Sequence, residues 1–97
     1  MRLLELERTA LLKALHGVDG KVYLYGSRAD PGRKGGDIDV LVFSRTRDPY
    51  RVAQDITVRF QMECDEKIDV LVVDPELMRP EQRSFVDLAM ENSIRLT

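Results

Sequence analysis

Two short apolar runs that carry aspartates, joined by one helical stretch, constrain the fold of this chain more than anything else in it. The first is Asp37-Ile38-Asp39-Val40-Leu41-Val42-Phe43 and the second is Lys67-Ile68-Asp69-Val70-Leu71-Val72-Val73. Both have the length and the β-branched composition of strands. In the first, apolar side chains fall on both faces, Ile38, Val40 and Val42 against Leu41 and Phe43. That pattern describes a central strand covered on both sides, with its aspartates at the exposed end. Between the runs, Asp48-Pro49 offers an N-cap followed by proline at the first helical position. Ala53, Ile56, Phe60 and Cys64 then recur at helical spacing, so residues 49–64 read as a long helix. A strand, a helix and a strand in this order can form parallel neighbours with a right-handed crossover. In that arrangement Asp69 lies beside Asp37 and Asp39.

The remaining segments supply a helix and a strand before this unit and a helix after it. Residues 2–16 form an amphipathic helix, with Leu4, Leu11 and Leu15 near one stripe and Leu3, Ala10 and Ala14 beside it. Gly17 suits its C-terminal cap, and Val18-Asp19-Gly20 is a turn. Lys21 to Tyr25 is a strand stopped by Gly26. Gly26 to Ala29 turns the chain and opens a short helix. Asp30 to Gly36 is a loop by composition, with three glycines, one proline and two bases. Asp74-Pro75 ends the strand over 67–73. A last helix runs from about Pro80 to Met90 with Phe85, Val86, Ala89 and Met90 on its apolar side, and Ile94 to Leu96 is a short extended tail. The order predicts an α/β fold, a small mixed β-sheet with helices packed against it. Its 97 residues suffice for a single compact domain over 1–97 and not for two.

Composition removes several classes of function. The net charge of −2 gives no global attraction to nucleic acid or to an anionic membrane surface. The single cysteine, Cys64, excludes a disulfide within the chain and a cysteine-rich zinc site, and its place at the apolar end of a helix makes it a buried small hydrophobe. No apolar run approaches the ~18 residues that span a bilayer. The acid in Met1-Arg2-Leu3-Leu4-Glu5 comes too early for a secretory signal, so the default location is the cytoplasm. There is no Gly-x-x-x-x-Gly-Lys-Ser/Thr, and no Gly-x-Gly-x-x-Gly follows a strand. The one histidine, His16, sits at a helix end and offers no Ser-His-Asp system.

What remains is a constellation of acids beside a small-residue turn. Side chains alternate along a strand, so Asp37 and Asp39 point the same way with Cα atoms about 6.5–7 Å apart. At the mouth of the Gly26-Ser27 turn they can hold Mg²⁺ against a nucleoside triphosphate. Phosphoryl and nucleotidyl transfer need the phosphate charge neutralised and the attacking group held in line. Two Mg²⁺ ions bridged by carboxylates provide both. Asp37 and Asp39 fit the role of ligands, and Asp69 fits a ligand or the base acting on the incoming hydroxyl. Gly26 lets the backbone approach phosphates, and Ser27 can donate to them. Arg28, or Arg33 and Lys34 in the loop, can pair with the triphosphate or an acidic acceptor. Seen alone, Asp37 and Asp39 would pass for solvated charges at a strand end, and Arg33 and Lys34 for a solvated loop. Asp69 in the middle of an apolar run is harder to assign to folding, because an unpaired buried carboxylate is costly.

Hydrophobic-Gly-Ser, a nine-residue gap and Asp-hydrophobic-Asp-hydrophobic together resemble the DNA polymerase β-like nucleotidyltransferase superfamily. The small size, Gly26-Ser27-Arg28-Ala29 and Gly36-Asp37-Ile38-Asp39-Val40-Leu41-Val42 resemble its minimal nucleotidyltransferase (MNT) branch. Lys67-Ile68-Asp69-Val70-Leu71-Val72 matches the strand of the third carboxylate, and Glu91-Asn92-Ser93-Ile94 is similar to the family's C-terminal end. Many relatives carry Arg-Gly soon after the Gly-Ser segment, where this chain has Asp30-Pro31-Gly32. The resemblance implies transfer of AMP from ATP, with Asp37, Asp39 and Asp69 as metal-holding and catalytic residues and Gly26, Ser27 and Arg28 at the nucleotide. It also implies a partner. MNT proteins are often encoded beside a helical HEPN-domain ribonuclease toxin and act as its antitoxin, in some cases by adenylylating a tyrosine of the toxin. Neutralisation by binding alone, or transfer to a small molecule or RNA, are the alternative expectations.

Overall fold

The computed structural model describes residues 3–30 and 36–97. Helix α1 (Glu5–Ala14) leads to strand β1 (Lys21–Tyr25), which ends in one 3₁₀ turn (Gly26–Arg28). Then come β2 (Ile38–Phe43), α2 (Pro49–Gln61), β3 (Ile68–Val73), α3 (Pro80–Met90) and β4 (Ile94–Arg95). The strands form one mixed sheet in the order β3-β2-β1-β4. β2 and β3 are parallel, as the intervening helix allows, and β1 runs antiparallel to both β2 and β4. The expected fold class, a small mixed sheet with helices against it, is the one observed.

Alternation along the strands sorts the side chains onto two faces. Val22, Leu24, Ile38, Val40, Val42 and Val72 meet Leu11 and Ala14 of α1 and Ile56 and Phe60 of α2 in the larger core. Tyr23, Tyr25, Leu41, Phe43, Leu71 and Val73 meet Val86, Ala89 and Met90 of α3 in a smaller one. β2 is therefore covered on both sides, as its two-faced apolar pattern demands. The α3 face is the thinner cover, and Phe85 and Leu88 of that helix stay exposed.

Local signals explain the helix boundaries. The Asp48 carboxylate accepts the Arg51 N–H at 3.1 Å and starts α2. The regular helix stops at Gln61, short of the expected residue 64, although the Cys64 N–H still bonds the Phe60 carbonyl at 3.0 Å and the Cys64 side chain is buried. Gly17 takes a left-handed conformation (φ +83°) just beyond α1, the cap that glycine permits. The apolar stripe of α1 needs one correction. Leu4 lies outside the helix and is exposed, whereas Glu7 is buried beside Ala10, Leu11 and Ala14. Among the described residues no helix is long and apolar enough to cross a membrane.

Candidate active site

The strand register lays three polar side chains across the sheet. Tyr25 of β1 is the partner of Asp39 in β2, and Asp39 is the partner of Asp69 in β3. They lie at the N-terminal ends of the parallel strands β2 and β3 and at the C-terminal end of the antiparallel β1. All three share the alternation of Tyr23, Leu41 and Leu71, so they lie on the face that α3 covers. Helix α3 reaches Tyr25 through Phe85, edge to face with ring centroids 6.1 Å apart. It does not bury the acids. Asp37 precedes β2 and is exposed, Asp39 is half-buried, and Asp69 is exposed. The expectation of a buried Asp69 is thereby corrected. β3 is an edge strand, so its apolar run has open space at the Asp69 end.

Asp39 is the electrostatic centre. Its carboxyl is held above the usual aspartate range by burial, then by the charges of Asp69 and Asp37. The same surroundings push the Tyr25 phenol up to about 12, by burial first and then by Asp39 and Asp69. Tyr25 therefore stays protonated at neutral pH. An acid whose ionisation is opposed by two other acids is a place where a cation is welcome.

The Gly-Ser turn is fitted to this carboxylate. Gly26 has φ +71°, and a Cβ added there would stand 2.5 Å from Asp39 Oδ2. Only glycine allows both the backbone conformation and the approach. A second glycine closes the same corner, since a Cβ on Gly36 (φ +87°) would overlap the Ser27 hydroxyl. The structure thus places Gly26 and Ser27 against the acids, one next to Asp39 and the other next to the residue preceding Asp37.

Arg28 is placed otherwise. Its Nη1 donates to Glu7 Oε1 at 2.8 Å, its Nη2 to Glu7 Oε2 at 3.2 Å, and its Nε to the Gly36 carbonyl at 3.1 Å. Glu7 Oε1 also accepts the Leu4 N–H at 2.9 Å. The hydrogen bonds from Arg28 hold the Glu7 carboxyl below the usual glutamate range. The guanidinium expected at the phosphates is committed to a buried acid of α1. Glu7 is the residue the sequence reading missed, and its signal was an acid standing in the apolar stripe with Ala10, Leu11 and Ala14. Arg33 and Lys34 lie outside the described residues.

Two cavities flank the Tyr25–Phe85 pair. One, of about 600 Å³, opens beside the Gly-Ser turn between Tyr25, Gly26, Ala29 and Asp30 and the residues Phe85, Leu88, Ala89 and Asn92. The other, of about 420 Å³, runs past Asp69 to Glu81 and Gln82. The cavity walls contributed by α3 carry no sequence motif.

Among the described residues no three histidine, cysteine or acidic side chains gather closely enough to hold a metal ion by themselves. The expectation that three acids converge on one point is corrected to that extent: Asp39 and Asp69 are register partners, with Asp37 within electrostatic reach. This donor set still fits Mg²⁺, which takes one or two carboxylates, keeps several waters and relies on substrate phosphates to complete its shell.

A family model described as "Nucleotidyltransferase domain" matches residues 9–95 of the chain. Comparison with curated proteins and with solved structures gives no match.

Proposed function

The chain belongs to the nucleotidyltransferase domain family of the polymerase β-like superfamily, and on that premise we propose that it transfers AMP from ATP to a hydroxyl of a partner protein. The observation that carries this reading is the fit of the Gly26 turn to Asp39, whose ionisation burial, Asp69 and Asp37 all oppose. When bound, Mg²⁺ neutralises the phosphates and the attacking oxygen. Asp39 and Asp37 would hold it, with Asp69 on the acceptor side. The acceptor oxygen attacks the α-phosphorus, the bond to the bridging oxygen breaks, and pyrophosphate leaves. The hydroxyl proton passes to the Asp69 carboxylate. Gly26 and Ser27 offer backbone and hydroxyl donors to the leaving phosphates.

The cavity beside Gly26 supports a place for the nucleoside. Its walls include Phe85, Leu88 and Ala89, and Asn92 is a polar side chain at its margin. We expect the uncharged Leu88→Gln to weaken ATP binding by about 10-fold, the scale of losing ~1.4 kcal/mol of contact. Binding of inorganic tripolyphosphate with Mg²⁺ should stay unchanged in the same titration. Equal weakening of both would remove the nucleoside from this cavity.

As acceptor we propose a tyrosine of a HEPN-domain toxin, with this chain as its antitoxin. The support is the resemblance of Gly26–Ala29, Gly36–Val42 and Lys67–Val72 to the corresponding segments of MNT domains. The test is transfer of α-phosphate label from ATP to the protein product of the neighbouring gene, with Mg²⁺ present. Label on the partner with the native chain, and none with Asp39→Asn, is the expected result. A stable complex with both versions and label with neither would point instead to an antitoxin that works by covering its partner.

A further inference from the structure

We infer that Glu7 and Arg28 form a strut that positions the Gly-Ser turn against Asp37, and that Arg28 serves nucleotide binding through this strut and not as a phosphate ligand. The inference rests on the nucleotide site proposed above. Its foundation is a single guanidinium that joins three separate segments. Two of its nitrogens grip both oxygens of Glu7 in the first turns of α1, and the third holds the carbonyl of Gly36, the residue before Asp37. Arg28 itself belongs to the Gly-Ser turn, whose Ser27 hydroxyl packs against Gly36 with no room for a Cβ between them. The segment that would cradle phosphates and the segment that delivers Asp37 are thus tied at one point, and that point is anchored to a helix.

Burial makes the tie hard to release. The Glu7 side chain is 2% exposed and that of Arg28 is 11% exposed. Were the guanidinium to swing to a phosphate, the Glu7 carboxylate would stay behind in the core with, among the described residues, the Leu4 N–H as its remaining donor. Removing one member of a buried ion pair is strongly unfavourable, whereas an apolar pair would stabilise a core equally well. The pair is therefore poorly explained by stability. It is well explained by geometry, because only the planar fork of arginine can serve two carboxylate oxygens and a carbonyl at once.

The experiment compares Arg28→Lys and Glu7→Gln with the native chain by calorimetric titration of ATP at saturating Mg²⁺, well below each melting temperature. The Mg²⁺ concentration needed for half-maximal ATP binding and the hydrogen exchange of the Ala29 and Asp30 amides are measured alongside. Both amides bond within the Gly-Ser turn, to Gly26 and Ser27 carbonyls. As a strut, the pair gives about 10-fold weaker ATP binding in both variants, a higher Mg²⁺ requirement, and faster exchange at the turn. As a phosphate ligand, Arg28 gives the opposite pattern. Lysine then retains most of the affinity as a point charge, and Glu7→Gln frees the guanidinium and tightens binding. That pattern overturns the inference. So does a lower melting temperature with ATP affinity and Mg²⁺ requirement unchanged, which marks a purely structural pair. If the native chain binds neither ATP nor tripolyphosphate with Mg²⁺, the proposed function fails. The exchange rates then decide the strut alone, faster turn exchange in both variants supporting it and unchanged exchange overturning it.

Discussion

Asp39→Asn is expected to melt at a higher temperature than the native chain in the absence of divalent metal, and to lose nearly all nucleotide transfer. The two effects have one cause. Burial, Asp69 and Asp37 all disfavour the charged form of Asp39, so its carboxyl titrates above the usual aspartate range in the folded protein. The folded state then binds this proton more tightly than the unfolded chain does. Its contribution to stability is full below the ordinary aspartate pKa and is lost as pH rises through the raised value. At neutral pH the native chain carries that penalty and the neutral amide does not. For a domain of this size each 1 kcal/mol moves Tm by about 4–8 °C, so even a fraction of that is measurable by calorimetry. Above the ordinary aspartate pKa the variant should also show a flatter stability profile than the native chain. Glu7 has the opposite sign. Its carboxyl is held low by the Arg28 hydrogen bonds, so its contribution is present above the ordinary glutamate range and is lost as pH falls through the lowered value. Mg²⁺ with ATP should reverse the ranking of Tm by linkage, since only the native chain gains a ligand. Transfer should fall at least about 100-fold, the scale of losing one electrostatic contact to a transition state. A variant that melts lower than the native chain without metal would show that Asp39 is stabilised in the fold and not held there against its charge.

The parts of this site legible in the sequence are those fixed by local pattern and one crossover. An apolar run, a capped helix and a second apolar run allow β2 and β3 to be parallel neighbours, and the observed register then puts Asp39 opposite Asp69. Gly26 marked the end of β1 because its neighbours are β-formers, and its positive φ bears that out. The parts that were not legible depend on contacts distant in sequence. Nothing local tells that Glu7 will be buried, since an acid enters a core only with a partner, and that partner stands 21 residues away. Arginine beside a Gly-Ser turn has the charge that suits a phosphate, and charge alone does not reveal the ion pair that Arg28 makes with Glu7. Asp69 looked buried because an apolar run is the same in a central and an edge strand. The difference lies in the strand order, which puts β3 at the edge. The α3 walls of the cavities follow from how that helix crosses the sheet, and helical periodicity fixes only which side faces inward.

Two glycines with similar positive φ allow the active-site fit to be measured apart from backbone strain. Gly26 has φ +71° and Gly17 has φ +83°, so an alanine at either meets the left-handed penalty of about 1–2 kcal/mol. Beyond that they differ completely. A Cβ on Gly17 would find nothing within 4 Å, whereas one on Gly26 would meet Asp39 Oδ2 at 2.5 Å and its Cγ at 3.4 Å. Gly17→Ala should therefore lower stability by about that strain and leave Mg²⁺-dependent ATP binding and transfer as they are. Gly26→Ala must in addition push the Asp39 carboxylate aside or open the turn. Either movement spoils the relation between the phosphate-facing backbone and the metal-facing acid, and a displacement of about 1 Å in such a site can cost 100-fold in rate. Transfer should fall by that order, with ATP binding weakened in the same variant. Urea denaturation of the two proteins without metal gives the strain from one and strain plus clash from the other. Equal stability loss and equal activity in both would mean that Asp39 yields without consequence, and the close approach of Gly26 would then be no part of the catalytic arrangement.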